Sequence, residues 1–231
     1  MSLDRELPVY EIFRAGSPIL VDGRLDDPAW KAAPEVELKL TLDGGAPLWP
    51  TKARLLYDDE NFYVGFQSSD PHIWGSLTGH DDPIYNEDVV EIFLDPAGLG
   101  TTYYELEVSP LNVSFDAIII NDARVCGSAG RGDRFQGFTG WDPAGFRHAV
   151  HITQGRLNDR SAGPGIWCCE MAIRFADLFL GANVPPRPGD EWRGNLYRID
   201  LDGQRCEESA FSPTGLSDFH VPSRFARFVF R

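Results

Sequence analysis

Residues 87–96 (EDVVEIFLDP) and residues 102–108 (TYYELEV) decide the fold. Side chains alternate between two faces along an extended chain, so each stretch has an apolar face and a mixed face. The apolar faces are Val90, Ile92 and Leu94 in the first stretch and Tyr104, Leu106 and Val108 in the second. Glu91 and Glu107 fall on the opposite face, together with aromatic rings. We therefore predict two paired strands with one core face and one face that carries carboxylates and rings.

The rest of the chain has the pattern of an all-β protein. Its 231 residues include 23 Gly and 17 Pro, scattered between short runs that alternate in polarity, and long helical patterns are missing. This pattern predicts an antiparallel β-sandwich, immunoglobulin-like or jelly-roll-like, with one or two short helices. We expect a lead-in strand and linker over residues 1–18 and a single sandwich over residues 19–231.

Several local elements can be predicted from turn and cap residues. We expect a short strand over residues 19–23, a hairpin of residues 51–57 and 61–67, and a long surface loop over residues 126–146. A short helix should begin at Pro28 with Asp27 as its cap. A second helical turn is expected over residues 174–179.

Charge and hydropathy exclude some partners. The formal net charge of −14 argues against nucleic acid and against an anionic membrane, because both require a basic face. It is compatible with neutral ligands and with cations. The first residues lack an apolar signal-peptide core, which leaves open a cytoplasmic protein or a secreted one whose signal has been removed. We expect a monomer.

The four cysteines do not form a recognisable framework. Adjacent Cys168 and Cys169 would point to opposite faces of one strand, and Cys126 and Cys206 lie far from them in sequence. A C-x-x-C pair is missing, so a zinc site is not expected. We predict buried free thiols.

Four blocks then carry a resemblance. In chain order they are residues 19–30 (ILVDGRLDDPAW), 56–64 (LYDDENFYV), 88–95 (DVVEIFLD) and 212–225 (SPTGLSDFHVPSRF). This ordered set resembles the family 9 carbohydrate-binding modules, which belong to the DOMON-like β-sandwiches. The resemblance implies a non-catalytic domain that binds carbohydrate in polysaccharide breakdown, in association with a glycoside hydrolase. It also implies structural calcium.

The resemblance implies site residues as well. The family grips a terminal sugar ring between two aromatic side chains, which correspond here to Tyr85 and Phe219. Its ligand-binding glutamate corresponds to Glu91. Where the family has a sugar-binding arginine this chain has Glu107, and where it has an asparagine this chain has Leu216.

Other candidates come from the residues themselves. Trp74 and His220 lie in polar loops and could form further walls of the site, although Trp74 could instead anchor its loop. Glu91 and Glu107 would repel each other unless a cation lay between them. We predict that Arg198 bridges these two carboxylates; the alternative is a surface ion pair of little energetic value.

Two other functions remain open. The Glu91 and Glu107 pair could serve a glycosidase or another sugar-processing enzyme, because glycosidases use two carboxyl groups. Alternatively, the acidic and aromatic face could dock a protein partner. Assays on chromogenic glycosides distinguish the first, and a large exposed apolar patch would favour the second.

We commit to no cofactor. The acidic runs at residues 22–27, 58–60 and 81–88 offer oxygen ligands of the kind calcium uses, but they do not match an EF-hand, and we assign no metal ligand. Haem is not expected. Met171 is expected to pack in the core, and His148 and His151 would lie on opposite faces of one strand.

Overall fold

The computed structural model describes residues 6–121, 135–203 and 205–231. The strands are β1 Val9–Arg14, β2 Val36–Glu37, β3 Lys39–Leu40, β4 Thr51–Tyr57, β5 Asn61–Asp70, β6 Val89–Asp95, β7 Thr102–Val108, β8 Ser114–Ile120, β9 Gln136–Phe138, β10 Arg147–Gln154, β11 Gly165–Arg174, β12 Glu191–Asp202, β13 Arg205–Ala210 and β14 Ala226–Phe230. Short 3₁₀ turns cover Pro28–Ala32, Ile84–Asn86, Arg160–Ala162, Phe175–Asp177 and Pro222–Arg224. Within these residues, none of the helical segments has the length and apolar character needed to cross a bilayer.

The strands form two sheets that are joined along one edge. The first sheet runs β9-β8-β7-β6-β12-β14-β1, with β13 paired to β12 and β3 paired to β13. The second runs β10-β11-β5-β4-β1, with β2 paired to β4. The prediction of an all-β sandwich is confirmed.

Strand β1 belongs to both sheets. Its first part, Val9 to Ile12, pairs with β14, and Phe13 and Arg14 pair with β4. Both pairings are parallel, whereas the other strand pairs in the described residues are antiparallel. The predicted lead-in strand is therefore an integral strand that links the two sheets, and the fold begins before residue 19.

The main core lies between the two sheets. The predicted apolar face of β6 and β7 is buried in it, with Val90 opposite Val108 and Leu94 opposite Tyr104. The second sheet contributes side chains such as Phe62 from β5 to the same core. The alternation therefore predicted the core face of both strands correctly.

The outer faces of both sheets are also covered. A second apolar cluster on the outer face of the first sheet includes Phe93, Tyr103 and Tyr197. A third, around Trp30, lies on the outer face of the second sheet. The mixed face of β6 and β7 is thus largely buried, because loops pack over it.

Glu170 anchors the cover of the second sheet. Its carboxylate accepts hydrogen bonds from the backbone N–H groups of Asp22, Gly23 and Leu25 and from Nε1 of Trp30. Gly65 leaves the space that this cover needs, since a Cβ there would lie 3.2 Å from the Trp30 ring. Because the Glu170 carboxylate accepts hydrogen bonds from three backbone N–H groups in residues 22–25, these groups are satisfied without pairing to a strand.

Two local predictions in this cover are wrong. Residues 19–23 do not form a strand, because their N–H groups turn toward Glu170 and, for Leu20, toward the side chain of Asp27. Asp27 therefore does not cap the helical turn with its carboxylate, although Pro28 does begin that turn.

Two other local predictions hold, and a third can be compared with the structure only in part. Strands β4 and β5 form the expected hairpin, and the Asp58 carboxylate accepts the N–H groups of Glu60 and Asn61 in its turn. The turn Phe175–Asp177 forms within the predicted segment. In the predicted loop of residues 126–146, the described part contains strand β9.

The cysteines agree with the prediction in part. Cys168 and Cys169 are buried free thiols, and burial raises the pKa of Cys168 to about 11. Cys206 is free but exposed, because β13 ends at the molecular surface. Cys126 lies outside the described residues.

An ion pair ties the two sheets together inside the sandwich. Nη2 of Arg198, on β12, donates to Asp70 at the end of β5 at 2.6 Å and to Asp200 at 3.2 Å. The guanidinium also lies over the Trp167 ring, 5.1 Å from its centroid. Arg198 is 1% exposed, so water does not screen these interactions.

Replacing this arginine should destabilise the fold. The Arg198→Met variant leaves Asp70, Asp88 and Asp200 without their buried cation, which should lower the free energy of unfolding by about 3–5 kcal/mol at pH 7. Urea unfolding measures the change, and the loss should shrink at pH 5 as Asp88 and Asp200 bind protons, because burial raises their pKa values to about 8 and about 7. As a matched control, Arg227→Met breaks the exposed pair with Glu191 and should change little. Equal effects of the two variants would contradict this role.

Candidate functional site

A cavity of about 450 Å³ opens on the outer face of the first sheet. It lies over strands β6, β7, β8 and β12, where loops leave part of that face uncovered. The described lining residues are Tyr85, Glu91, Glu105, Phe115, Ile119, Phe135, Gly137, Thr139, Ile199, Glu208, Asp218, Phe219 and His220. The structure therefore brings together Tyr85, Glu91, Phe219 and His220, which sequence patterns place in distant segments.

The two predicted stacking rings are held in different ways. Tyr85 lies in the 3₁₀ turn Ile84–Asn86, is 44% exposed and packs edge-on against Phe115, with ring centroids 5.5 Å apart. Phe219 is 8% exposed and lies flat against Tyr197 at 4.2 Å with an interplanar angle of 8°. The Tyr197 hydroxyl donates to the backbone carbonyl of Phe219 at 2.9 Å, which fixes this loop.

His220 is a neutral wall of the cavity. Its Nδ1 lies 2.8 Å from the Tyr103 hydroxyl, and its ring stacks on Phe135 with centroids 3.5 Å apart. Burial lowers the pKa of His220 to about 3. The ring therefore carries no charge at neutral pH, and it can exchange hydrogen bonds but cannot neutralise an acid.

Three glutamates meet at the base of the cavity. Glu91 lies opposite Glu107 on the neighbouring strand, and Glu105 follows on the same face. One carboxylate oxygen from each lies within 4.8 Å of the others. Glu91 and Glu105 line the cavity, whereas Glu107 is fully buried behind them.

These carboxyls bind protons unusually tightly. Burial, reinforced by neighbouring carboxylates, raises the pKa values of Glu91 and Glu107 well above the usual range, and burial raises the pKa of Glu105 to about 8. Among the described residues, Oε1 of Glu91 and both oxygens of Glu107 are buried without a hydrogen-bond partner outside the three glutamates. An isolated buried carboxylate is costly, so the free protein keeps part of this cluster protonated at neutral pH.

The predicted bridge by Arg198 is wrong. Arg198 lies opposite Val90 rather than Glu91 in the pairing of β12 with β6, so its side chain points to the core between the sheets. There it pairs with Asp70 and Asp200. The sequence does not show which residue of β12 pairs with which residue of β6. A shift of one residue in this pairing moves every β12 side chain to the opposite face of the sheet.

Trp74 also lies away from the cavity. Its indole Nε1 donates to the carbonyl of Leu201 at 2.6 Å, and its backbone N–H donates to Asp88 at 3.2 Å. The ring therefore anchors its loop, which is the alternative that the sequence left open.

Sequence reasoning missed several residues of the cavity. Glu105 shares the alternating face of Glu91, which is a signal that the pattern already contained. Phe115 lies opposite Glu107 on β8, and Asp218 precedes Phe219 in the same loop. Phe135 and Glu208 carry no comparable sequence signal, because only the folding of the chain brings them to this face.

The acidic runs that the sequence offered for calcium serve mainly as backbone acceptors. Asp58 holds its turn, Asp82 accepts the N–H groups of Thr78 and Gly79, and Asp88 accepts that of Leu201. These carboxylates do not fit the six to eight converging oxygen ligands that calcium prefers. Structural calcium stays a prediction of the resemblance.

A second group of chemically active side chains lies beside His80. Its Nε2 is 3.0 Å from Asp142 and 3.7 Å from the buried Asp116. Burial opposes protonation of His80, but the hydrogen bond to Asp142 and the charges of Asp116 and Asp81 outweigh it and raise the pKa of His80. A protonated His80 therefore balances part of the negative charge there.

The glutamate cluster should make stability depend on pH. Because the native pKa of Glu107 is raised, the unfolded chain loses this proton at lower pH, and stability should fall as pH rises from 5 to 8. Replacement by the neutral amide in Glu107→Gln should flatten this slope and raise the free energy of unfolding at pH 8 by at least ~1 kcal/mol. Denaturant unfolding across this range tests it.

The matched control is Glu191→Gln. Its hydrogen bond with Arg227 lowers the pKa of Glu191, so this variant should not flatten the slope. If the free energy of unfolding falls equally with pH in the native chain and in Glu107→Gln, the raised pKa of Glu107 does not cause the pH dependence.

Comparison with known proteins gives a family. Residues 21–129 match the model described as carbohydrate family 9 binding domain-like. The chain is similar to an extracellular protein of Arthroderma benhamiae, with 26% identity over 212 residues that cover 87% of this chain and 86% of that protein.

Two further similarities concern an enzyme and a solved structure. Endo-1,4-beta-xylanase A of Thermotoga neapolitana is 34% identical over 214 residues, which cover 91% of this chain but only 17% of the enzyme. The chain thus spans about a sixth of that relative's length. A carbohydrate binding module family 9 from Caldicellulosiruptor kristjanssonii, solved in complex with cellotriose, matches with a TM-score of 0.63 and 18% identity, covering 96% of this chain and 93% of that one.

The solved structure supports the fold, and the family model covers β6, β7 and β8, three of the four strands beneath the cavity. The second and third sequence blocks lie within the residues that the family model matches, and the first lies mostly within them. The chain therefore carries a family 9-like carbohydrate-binding domain.

Proposed function

We propose that this domain binds carbohydrate without catalysis and seats one sugar ring in the cavity beside Tyr85 and Phe219. One observation carries the proposal. An exposed ring and a fixed ring from loops more than a hundred residues apart in the chain line one cavity of about 450 Å³, a volume suited to a small ligand.

The aromatic lining supplies the apolar part of recognition. Sugars present C–H faces that pack on flat rings, and the ring of Tyr85 is 44% exposed without any ligand. Phe219 adds a second ring to the lining, and its stacking on Tyr197 holds that ring in place. Rings that are already ordered lose little conformational freedom when a ligand binds.

The carboxyl groups supply the polar part. Glu91 and Glu105 line the cavity, and sugar hydroxyls can donate to their ionised forms or accept from their protonated forms. His220, held by Tyr103, offers a neutral ring to the same space. We expect micromolar or weaker affinity for a single sugar, because one ring buries little area.

The geometry favours binding over hydrolysis. A glycosidase places two carboxyl groups on either side of the scissile bond, roughly 5–9.5 Å apart. Glu91 and Glu107 instead lie side by side on adjacent strands, and Glu107 is fully buried and outside the cavity lining. A substrate could contact Glu91 here but could not pass between the pair.

The similarity to part of a xylanase suggests which kind of protein this domain works with. Only a part of that enzyme resembles this chain, and a binding domain would keep an enzyme near its polysaccharide. We propose that this domain acts together with a glycoside hydrolase, either in the same chain or as a separate protein.

Removing the exposed ring should weaken binding. Tyr85→Ala deletes a stacking surface worth about 0.5–1.5 kcal/mol, so the dissociation constant for a bound monosaccharide should rise roughly three- to tenfold. Isothermal titration calorimetry measures this. Tyr85→Phe keeps the ring and should bind nearly as the native chain does. The control Phe179→Ala removes a ring that is 64% exposed but outside the cavity, and it should change nothing.

The purified domain should not hydrolyse chromogenic glycosides. We expect no release of nitrophenol above background from a panel of β-glycosides, because the carboxyl groups do not flank a bond. Glu91→Gln serves as the control for any trace activity. Turnover in the native chain that disappears in this variant would favour the sugar-processing alternative.

A further inference from the structure

The cavity is acidic throughout its described lining. Four of the lining residues are acids, Glu91, Glu105, Glu208 and Asp218, and the described lining contains neither lysine nor arginine. His220 is its one basic group within these residues, and burial lowers the pKa of His220 to about 3. A ligand that enters this cavity therefore meets several carboxyl groups and, among the described lining residues, no lysine or arginine.

The base of the cavity has unmet bonding capacity. Glu91 and Glu107 are 1% and 0% exposed, and in the described part of the chain Oε1 of Glu91 and both oxygens of Glu107 have no hydrogen-bond partner outside the glutamate cluster. Arg198 points to the other face of its strand, and the nearest ion-pair candidate is His220, 3.7 Å from Glu105. Burying such groups without donors is unfavourable unless a ligand supplies the donors.

The spacing of these oxygens fits an ammonium group. An ammonium nitrogen carries three N–H donors in addition to its bond to carbon, and each donates at about 2.8 Å. Three acceptors around one such nitrogen lie about 4.6 Å apart from one another. The three glutamates each offer an oxygen within 4.8 Å of the others, so their spacing suits one such nitrogen, with Glu91 and Glu105 facing the cavity and Glu107 behind them.

The walls of the cavity favour the same charge. Tyr85, Phe115 and Phe135 line it above the glutamates. Aromatic faces attract cations, and they also pack against the C–H face of a sugar ring. A ligand that combines a sugar ring with a positive charge would use both properties at once.

We infer that this cavity recognises an amino sugar with a free ammonium group, in preference to neutral sugars, and that Glu91 and Glu105 bind that group, with Glu107 lying directly behind them. This inference rests on the proposed function and specifies its ligand class. A bare divalent cation could use the same oxygens, but it would need neither the aromatic walls nor the volume beside the cluster. The sugar ring accounts for both.

The test compares three matched monosaccharides by calorimetry on the protein treated with EDTA. Glucosamine, N-acetylglucosamine and glucose differ only at one ring position. We expect glucosamine to bind roughly tenfold or more tightly than the other two, since charge-assisted hydrogen bonds are the strong ones. The preference should weaken as sodium chloride is raised.

A variant tests whether the preference for glucosamine depends on the glutamate cluster. Glu105→Gln removes one ionisable carboxyl from the cavity lining and should reduce the preference for glucosamine toward the level of the neutral sugars. Glu191→Gln removes a surface charge outside the cavity and should leave the preference unchanged. Because the sugar panel is measured on the native chain, the inference can fail even if a variant does not fold.

The outcomes separate the two proposals. If glucose or N-acetylglucosamine binds as tightly as glucosamine, the preference for an amino sugar is overturned while carbohydrate binding stands. If none of these sugars nor their oligosaccharides binds, the proposed function itself fails. Calcium added to the EDTA-treated protein gives the third outcome. If calcium binds, if this binding is lost in Glu105→Gln and if calcium displaces glucosamine, the cluster is a cation site and the inference is overturned.

Discussion

The pairing of β6 with β7 is the constraint on which the rest of the structure depends. Because side chains alternate, this register sends Val90 and Leu106 to the core between the sheets and Glu91 and Glu107 to the outer face. A shift of one residue would place the glutamates in the apolar core, at a large cost in free energy. The apolar face thus fixes the position of the acidic face, and the cavity follows from it.

The molecule treats its buried charges in two different ways. Inside the sandwich, Arg198 and Asp70 pair directly and hold the two sheets together. On the outer face, Glu91 and Glu107 are equally buried, and among the described residues they form no ion pair with a lysine or arginine. The first arrangement is closed and structural, whereas the second borders a cavity, which Glu91 lines.

Loops complete the site on a rigid base. The four strands below the cavity belong to a sheet whose other face is packed in the core, and the loop that carries Phe219 is fixed by Tyr197. Tyr85 projects from a short turn and keeps its ring accessible. Such an arrangement suits a binding domain, because the strands set the positions of the acids while loops determine which ligand fits.

The sequence by itself determined the all-β class, the core face of β6 and β7 and the hairpin turn at Asp58, because alternation and turn chemistry are local. The candidates Tyr85 and Glu91 came from the resemblance of ordered sequence blocks to the family. The tertiary structure alone decided the rest. The face on which Arg198 lies depends on the register between strands distant in sequence, and Trp74 anchors a loop through a carbonyl on another strand. Burial of the glutamates, and therefore their charge, required loops to fold over them, which no local pattern encodes.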